Sequence, residues 1–300
     1  MVSIKELAKT EKHEYFLRGN SCCAGCGLEI ALRWTLKALG HQTIVVAPAS
    51  CTNVVIGLYP RTAPTVPFIN MAFAAGAAAT AGIRTALKAR GINDITCLCW
   101  AGDGGTYDIG IQALSGAAER GDDIMYICYD NEAYMNTGTQ RSGGTPYGAW
   151  TTTTPFGKKQ HKKNLPMIMA AHGIPYVATA SAGYPLDLYN KVKKAKDIRG
   201  CKYIHIFAAC PPGWRYDTEL TIEISKKAVE TGFWILYEIE DGVINLNGPS
   251  KSRQDKAKRK PIEEYLKPQG RFNKMSEQDI KNLQAWVDRQ WEVMAQKLVC

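Results

Sequence analysis

The chain has 300 residues, 45% of them hydrophobic, with ten cysteines and a net charge of +9. That is enough for one large domain, or one domain with an appendage, and no apolar stretch is long enough to cross a membrane. The basic balance comes without an aromatic–basic motif or zinc-finger spacing, which argues against a nucleic-acid partner.

In chain order, residues 1–20 read as a leading segment. Met1 to Arg18 is charged and has no apolar h-region, so no secretory signal is expected. Clustered cysteines without a signal peptide point to a reducing, cytoplasmic setting and to metal binding rather than disulfides. From Ser21 to about Phe233, helix-like and strand-like runs alternate without a long break or an internal repeat. Residues 1–233 are therefore expected to form one α/β domain with a mostly parallel sheet flanked by helices.

Cys23-Ala-Gly-Cys26 is a C-x-x-C whose glycine permits a tight turn around a metal. Cys51 follows the strand-like run Thr43 to Val46, and Cys210 follows the run Tyr203 to Phe207. These four thiols can converge at one sheet edge. Four thiolates suit zinc or a [4Fe–4S] cluster, and spacing alone does not decide between them. Cys97, Cys99 and Cys128 lie inside predicted strands and are expected in the core. Cys201 and Cys300 look incidental, and Cys22 is an extra thiol beside the C-x-x-C.

Met71 to Ile83 is Ala/Gly-rich and predicts a tightly packed helix near the site. Ile95 to Trp100 predicts a buried strand ending at Gly102-Asp103-Gly104-Gly105. Tyr107 to Arg120 has helical spacing, with Ile109, Ile111, Leu114 and Ala117 apolar. Ile124 to Tyr129 predicts the next strand, ending at Asp130-Asn131. In open parallel sheets, ligands bind at this edge. Asp103, the Asn131 side chain and the Ala133 carbonyl offer three oxygens for Mg²⁺, whose shell commonly includes phosphate oxygens. Gly102, Gly104 and Gly105 let the backbone approach phosphates. A capping Asp in an ordinary turn is the bland alternative, and the Asn one βαβ unit later weighs against it.

Thr137 to Lys163 is a long polar segment, and loops of that length in compact domains are usually functional. A helix from Asn164 to His172 and a strand from Pro175 to Thr179 follow. Residues 234–300 are expected to form a C-terminal extension packing on the core or on a partner subunit. Within it, Lys251 to Lys260 is basic and solvated. A helical arm follows, carrying Leu283, Trp286, Val287, Trp291, Met294 and Leu298 at helical spacing.

Gly-Asp-Gly followed by Asn131 resembles the thiamine diphosphate motif. The longer string Asp130-Asn-Glu-Ala-Tyr-Met-Asn-Thr-Gly-Thr-Gln140, with Thr145-Pro-Tyr-Gly148, is similar to β subunits of 2-oxoacid:ferredoxin oxidoreductases, the pyruvate synthase group. The similarity runs from about Ser21 to Trp214. It implies a diphosphate-type thiamine diphosphate-binding domain and Mg²⁺ on Asp103, Asn131 and Ala133. It also implies one [4Fe–4S] cluster on Cys23, Cys26, Cys51 and Cys210. Gly27, Cys51, Gly102, Gly104, Gly105, Tyr134, Asn136 and Thr137 would meet the cofactor, with Asn136 close to the reacting carbon.

The resemblance further implies decarboxylation of a 2-oxoacid, pyruvate first, with electrons passed to ferredoxin and the acyl group to coenzyme A. Oxalate, which needs no coenzyme A, and other 2-oxoacids stay open. The activating glutamate of the pyrimidine-binding domain is not found in this chain, so an α subunit is expected to bring it. Further clusters are expected on γ/δ or ferredoxin-like subunits or regions. A basic surface suits an acidic ferredoxin. Two other readings compete: a non-redox thiamine diphosphate lyase or synthase, and a zinc-stabilised non-catalytic subunit.

Overall fold

The computed structural model describes residues 3–10 and 12–295. Eight strands form one sheet: β1 (Thr43–Pro48), β2 (Phe68–Met71), β3 (Thr96–Gly102), β4 (Met125–Asp130), β5 (Tyr176–Ser181), β6 (Lys202–Phe207), β7 (Tyr237–Glu240) and β8 (Val243–Leu246). Their order across the sheet is β2-β1-β3-β4-β6-β5-β7-β8. The first six are parallel, and β7 and β8 add antiparallel strands beside β5.

The central strands are largely apolar because both faces are covered. Every residue of β4, β5 and β6 is buried. Parallel neighbours need long crossovers, and helices supply them on both faces. Gly27–Leu39 and Pro185–Asp197 pack on one face, burying Leu28, Leu32, Leu36, Leu188 and Val192. Gly76–Ala89, Ile111–Glu119, Leu165–Ala170 and Thr221–Glu230 cover the other. Cys97, Cys99, Cys128 and Cys201 are buried, and Cys99, Cys128 and Cys201 pack within that second core. The chain goes from β1 out to β2, then returns past β1 to β3. The strand order therefore reverses between β1 and β3, and a crevice opens there at their C-terminal ends.

Three elements differ from the sequence-based expectation. The helix expected from Tyr107 begins instead as a wide turn, Gly104–Ile109, before the regular helix Ile111–Glu119. This turn leaves Ile109 exposed and brings the buried Tyr107 hydroxyl to Asp130. The helix expected from Met71 starts later, with Phe73–Ala75 as one tight turn and Gly76–Ala89 as the helix. Residues 237–246, read as part of an extension, instead complete the sheet. Asp241-Gly242 has positive φ at both positions (47° and 79°), the requirement of a two-residue hairpin turn.

Beyond the hairpin, the Glu277–Ala295 helix returns to this chain's own core, where Leu283, Val287, Trp291 and Met294 are buried. Leu298 and Cys300 lie outside the described residues. Between β4 and the Leu165–Ala170 helix the chain forms no strand or α-helix, only isolated bridges at Tyr134–Gln140 and Thr151–Thr154. The segment is nonetheless anchored, because Ser142, Thr145, Thr151 and Lys158 are buried. No helix among the described residues is long and apolar enough to cross a membrane.

Candidate active site at the β1/β3 crevice

Gly102 at the end of β3 pairs with Tyr129 of β4. The residues at the ends of these strands are therefore side by side: Asp103 after β3, and Asp130, which ends β4, with Asn131 after it. All three are buried. The terminal atom of the Asn131 amide that faces inward lies 2.8 Å from the Ala133 carbonyl oxygen and 2.9 Å from Asp103 Oδ1. With its nitrogen inward, Asn131 donates a hydrogen bond to each. With its oxygen inward, three acceptors meet, an arrangement that a cation reconciles. Mg–O distances of 2.0–2.1 Å place adjacent corners of an octahedron about 2.9 Å apart. The two separations from the Asn131 amide atom match adjacent corners of such an octahedron, so the residues fit Mg²⁺.

Charge points the same way. Burial and the neighbouring Asp130 carboxylate push the Asp103 carboxyl well above its usual range, against the opposing pull of Ser142 and Lys162. Ser142 Oγ donates to Asp103 Oδ2 at 2.5 Å, leaving Oδ1 to face Asn131. The site is short of positive charge, and a divalent cation would supply it.

A cleft of about 110 Å³ opens in front of these groups, lined among others by Cys51, Phe73, Gly102 to Gly105, Tyr134, Asn136 and Thr137. The Tyr134 hydroxyl has two acceptors within reach for its one proton, the Gly104 carbonyl at 3.0 Å and Asp108 Oδ2 at 2.9 Å. Its ring lies where a Cβ on Gly104 would sit, so Gly104 makes room for an aromatic ring as well as for any phosphate. Thr137 Oγ1 donates to Gln140 Oε1 at 2.6 Å. Asn136 is exposed at the rim.

The four expected cysteines line one further cleft of about 270 Å³. Cys23 and Cys26 sit in the turn before the Gly27–Leu39 helix, where the Cys26 N–H donates to the Cys23 carbonyl at 3.1 Å and Gly25 has φ 69°. Cys51 opens the Cys51–Val55 helix after β1, and Cys210 precedes the Pro211–Trp214 turn after β6. No three His, Cys, Asp or Glu side chains among the described residues are grouped to hold one metal ion. A tetrahedral zinc with Zn–S near 2.3 Å needs sulfurs about 3.8 Å apart. A polynuclear cluster carries its thiolates on the corners of a larger body, and four cysteines lining one cleft of this size fit such a group.

Burial, with contributions from neighbouring thiols, pushes Cys26 up to about 11, Cys51 up to about 12 and Cys210 higher still. Such thiols become thiolates when a metal replaces the proton. Backbone N–H groups of Leu28 and Glu29 face the Cys26 sulfur, that of Asn136 faces Cys51, and that of Gly213 faces Cys210. Gly27 lines neither cleft. It packs against Ala209, whose carbonyl accepts its N–H at 3.0 Å. Cys22 is half-buried beside Cys23 and does not line the cysteine cleft.

Several residues escape the sequence reading. Asp130 and Glu132 flank Asn131, and both carboxylates are buried. Lys162 reaches them at 2.8 and 2.9 Å, His205 reaches Asp130 at 2.9 Å, and Arg271 reaches Glu132 at 2.7 Å. Burial raises the cost of the Asp130 charge, but Lys162 and His205 outweigh it and hold the carboxyl below its usual range. Trp214 Nε1 donates to the Asn131 carbonyl at 2.7 Å. The two flanking acids were the available signal, since buried carboxylates require counter-charges. Their partners lie 30 to 139 positions away, beyond any motif.

A family profile described as "Thiamine pyrophosphate enzyme, C-terminal TPP binding domain" matches residues 50–206. This defines the class as a thiamine diphosphate-binding enzyme domain. The chain is 50% identical to pyruvate synthase subunit PorB of Methanothermobacter marburgensis, over 93% of this chain and 97% of that one. It is equally 50% identical to ketoisovalerate oxidoreductase subunit VorB of Pyrococcus abyssi, over 93% and 92%. A solved 2-oxoglutarate:ferredoxin oxidoreductase from Magnetococcus marinus shares the fold. Its TM-score is 0.59 at 22% identity, covering 73% of this chain and 82% of that one. The chain belongs to the β-subunit family of the 2-oxoacid:ferredoxin oxidoreductases.

Proposed function

We propose that this subunit serves a cytoplasmic enzyme that oxidatively decarboxylates pyruvate, reversibly, to an acyl-coenzyme A and CO₂, with electrons leaving for ferredoxin. Residues 1–233 hold both cofactors, and residues 237–295 complete and brace the sheet. Asp103, Asn131 and the Ala133 carbonyl hold Mg²⁺ and, through it, the diphosphate. Gly102, Gly104, Gly105, Tyr134 and Thr137 border the diphosphate. Cys23, Cys26, Cys51 and Cys210 hold a [4Fe–4S] cluster. Thiamine diphosphate supplies the carbanion chemistry that breaks the bond between the carboxylate and carbonyl carbons of a 2-oxoacid.

The observation that carries this reading is the shared wall of the two clefts. Cys51, Asn131, Met135 and Asn136 line both. The group that yields electrons and the group that accepts them would thus be neighbours. Asn136 stands on this wall with its backbone N–H on Cys51 and its side chain at the rim, where its amide can orient the reacting 2-oxoacid. The basic net charge suits docking of an acidic electron carrier.

No glutamate of this chain lines the crevice among the described residues. The acid that activates the aminopyrimidine is therefore assigned to an α subunit, and outward electron transfer to cluster-bearing γ/δ or ferredoxin-like partners. Ketoisovalerate is the second substrate reading, because identity to the VorB relative equals that to the PorB relative. The test is ferredoxin reduction by the assembled complex with pyruvate, ketoisovalerate, 2-oxoglutarate and oxalate, each with and without coenzyme A. Pyruvate is expected to give the highest kcat/KM, and only with coenzyme A. Preference for ketoisovalerate would select the second reading, and coenzyme A-independent turnover of oxalate would overturn both.

A further inference from the structure

Behind the cation site lies a charge cluster that the reaction itself does not use. Asp130 and Glu132 are the immediate neighbours of Asn131, close enough to compete for a cation. Neither faces it. Both side chains are fully buried and turned to Lys162, whose Nζ bridges them at 2.8 and 2.9 Å. Asp130 Oδ2 also accepts from Tyr107 at 3.0 Å, and Oδ1 accepts the Glu132 N–H at 3.0 Å. His205 Nε2 completes that partner set at 2.9 Å. Glu132 takes Arg271 at 2.7 Å and holds φ at 67°, a left-handed backbone that a non-glycine residue adopts only when its surroundings enforce it.

The backbone between these acids is fixed as well. The Asn131 carbonyl accepts from Trp214 at 2.7 Å and the Glu132 carbonyl from Thr145 at 2.6 Å. Three carboxylates, Asp103, Asp130 and Glu132, thus surround the loop with two permanent cations, Lys162 and Arg271. The pairing consumes Asp130 and Glu132 and leaves only Asp103 facing the cation.

We propose that Lys162 is a positioning residue for the cation loop: by neutralising Asp130 and Glu132 it keeps both from the metal and fixes the Asn131 side chain and Ala133 carbonyl as ligands beside Asp103. This rests on the Mg²⁺ reading above. Lys162 lies near the end of the Thr137 to Lys163 polar segment, and Arg271 belongs to the C-terminal region, so both segments are tied to the cofactor loop through these two acids. Without Lys162, a carboxylate loses its counter-charge beside the metal ligands. It would then be drawn to the cation or displace the loop.

The test uses the assembled complex, with Mn²⁺ as the probe and its free concentration read by electron paramagnetic resonance in the presence of thiamine diphosphate. Wild type should bind Mn²⁺ and Asp103→Asn should not. Lys162→Met should weaken Mn²⁺ binding roughly 10–100-fold, the usual cost of losing an outer-shell partner. Lys162→Met combined with Asp130→Asn removes one charge of each sign and leaves the Glu132–Arg271 pair intact. This double variant should bind Mn²⁺ clearly better than Lys162→Met, because the amide oxygen at position 130 keeps the hydrogen bonds from His205 and Tyr107 and loses only the one from the Glu132 N–H. Iron content should be unchanged throughout.

Wild-type binding with undiminished affinity in Lys162→Met overturns the role of Lys162 alone. A double variant no better than the single one does the same, since a merely structural lysine would not be rescued by removing an acid. If Lys162→Met fails to assemble, the charge-balanced double variant must still assemble and bind, and its failure overturns the proposal. Absence of Asp103-dependent Mn²⁺ binding in wild type removes the cation reading itself, and this proposal with it.

Discussion

Asp103→Asn should move stability in opposite directions with and without cofactor. Without ligands the Asp103 carboxylate is 1% exposed and close to the Asp130 charge, with Ser142 and, when its nitrogen is inward, the Asn131 amide as side-chain hydrogen-bond donors. Replacing it by an isosteric amide removes an under-compensated buried charge, worth on the order of 1 kcal/mol or more. Unfolding entropy of about 2.1 cal/mol/K per residue gives about 0.6 kcal/mol/K for a 300-residue chain melting as one unit. The empty variant should therefore melt about 2 °C or more above empty wild type. With Mg²⁺ and thiamine diphosphate at a hundredfold excess over Kd, wild type gains about 2.7 kcal/mol, or about 4 °C. A variant binding a hundredfold more weakly gains about 0.4 kcal/mol, less than 1 °C. The assay is differential scanning calorimetry of the complex with and without Mg²⁺ and thiamine diphosphate. A variant that keeps the full ligand shift, or loses stability when empty, would refute the assignment of Asp103 as the charged cation ligand.

Three further outcomes are expected. Cys210→Ser should lower iron by about four atoms per chain while bound thiamine diphosphate persists, because Cys210 does not line the diphosphate cleft; iron analysis and thiochrome fluorescence check this. Trp214→Phe should weaken cofactor retention with a stability loss of about 1 kcal/mol, since it deletes the 2.7 Å hydrogen bond to the Asn131 carbonyl. Burial, aided by Arg141 and Lys162, lowers the Lys158 pKa from 10.5 to about 8. The unfolded chain then binds more protons between these values. Stability should rise with pH from about 8 to 10.5 and be flat below that window. The melting temperature of wild type, compared with Lys158→Met, should show this rise only where Lys158 is present.

What the sequence made legible follows from period and local chemistry. Apolar runs ending in Gly-Asp-Gly and Asp-Asn marked both strands and their cofactor-facing ends, because fully buried parallel strands carry continuous apolar residues. The four cysteines were assigned to one site from their positions after strand-like runs and from a family resemblance, and the structure lines one cleft with all four. Strand order was not legible, since nothing local says that β6 lies between β4 and β5. Asp241-Gly242, flanked by Tyr-Glu-Ile-Glu and Val-Ile-Asn-Leu, is a hairpin signal within residues otherwise read as an arm. The apolar stripe of the last helix could be read, but not whether it met this chain or another. Lys162, Arg271 and His205 were invisible because long-range charge pairing leaves no periodic trace. The Tyr134 ring over Gly104 was missed for the same reason, as a tertiary contact rather than a local preference.

The most direct test of the account is joint quantification of iron, zinc and thiamine diphosphate in the anaerobically purified native complex, followed by the same analysis of Cys51→Ala. Cys51 lines both clefts. The account predicts bound thiamine diphosphate and about four irons assignable to this chain, lost in the variant. Thiamine diphosphate without iron, or zinc in its place, would contradict it.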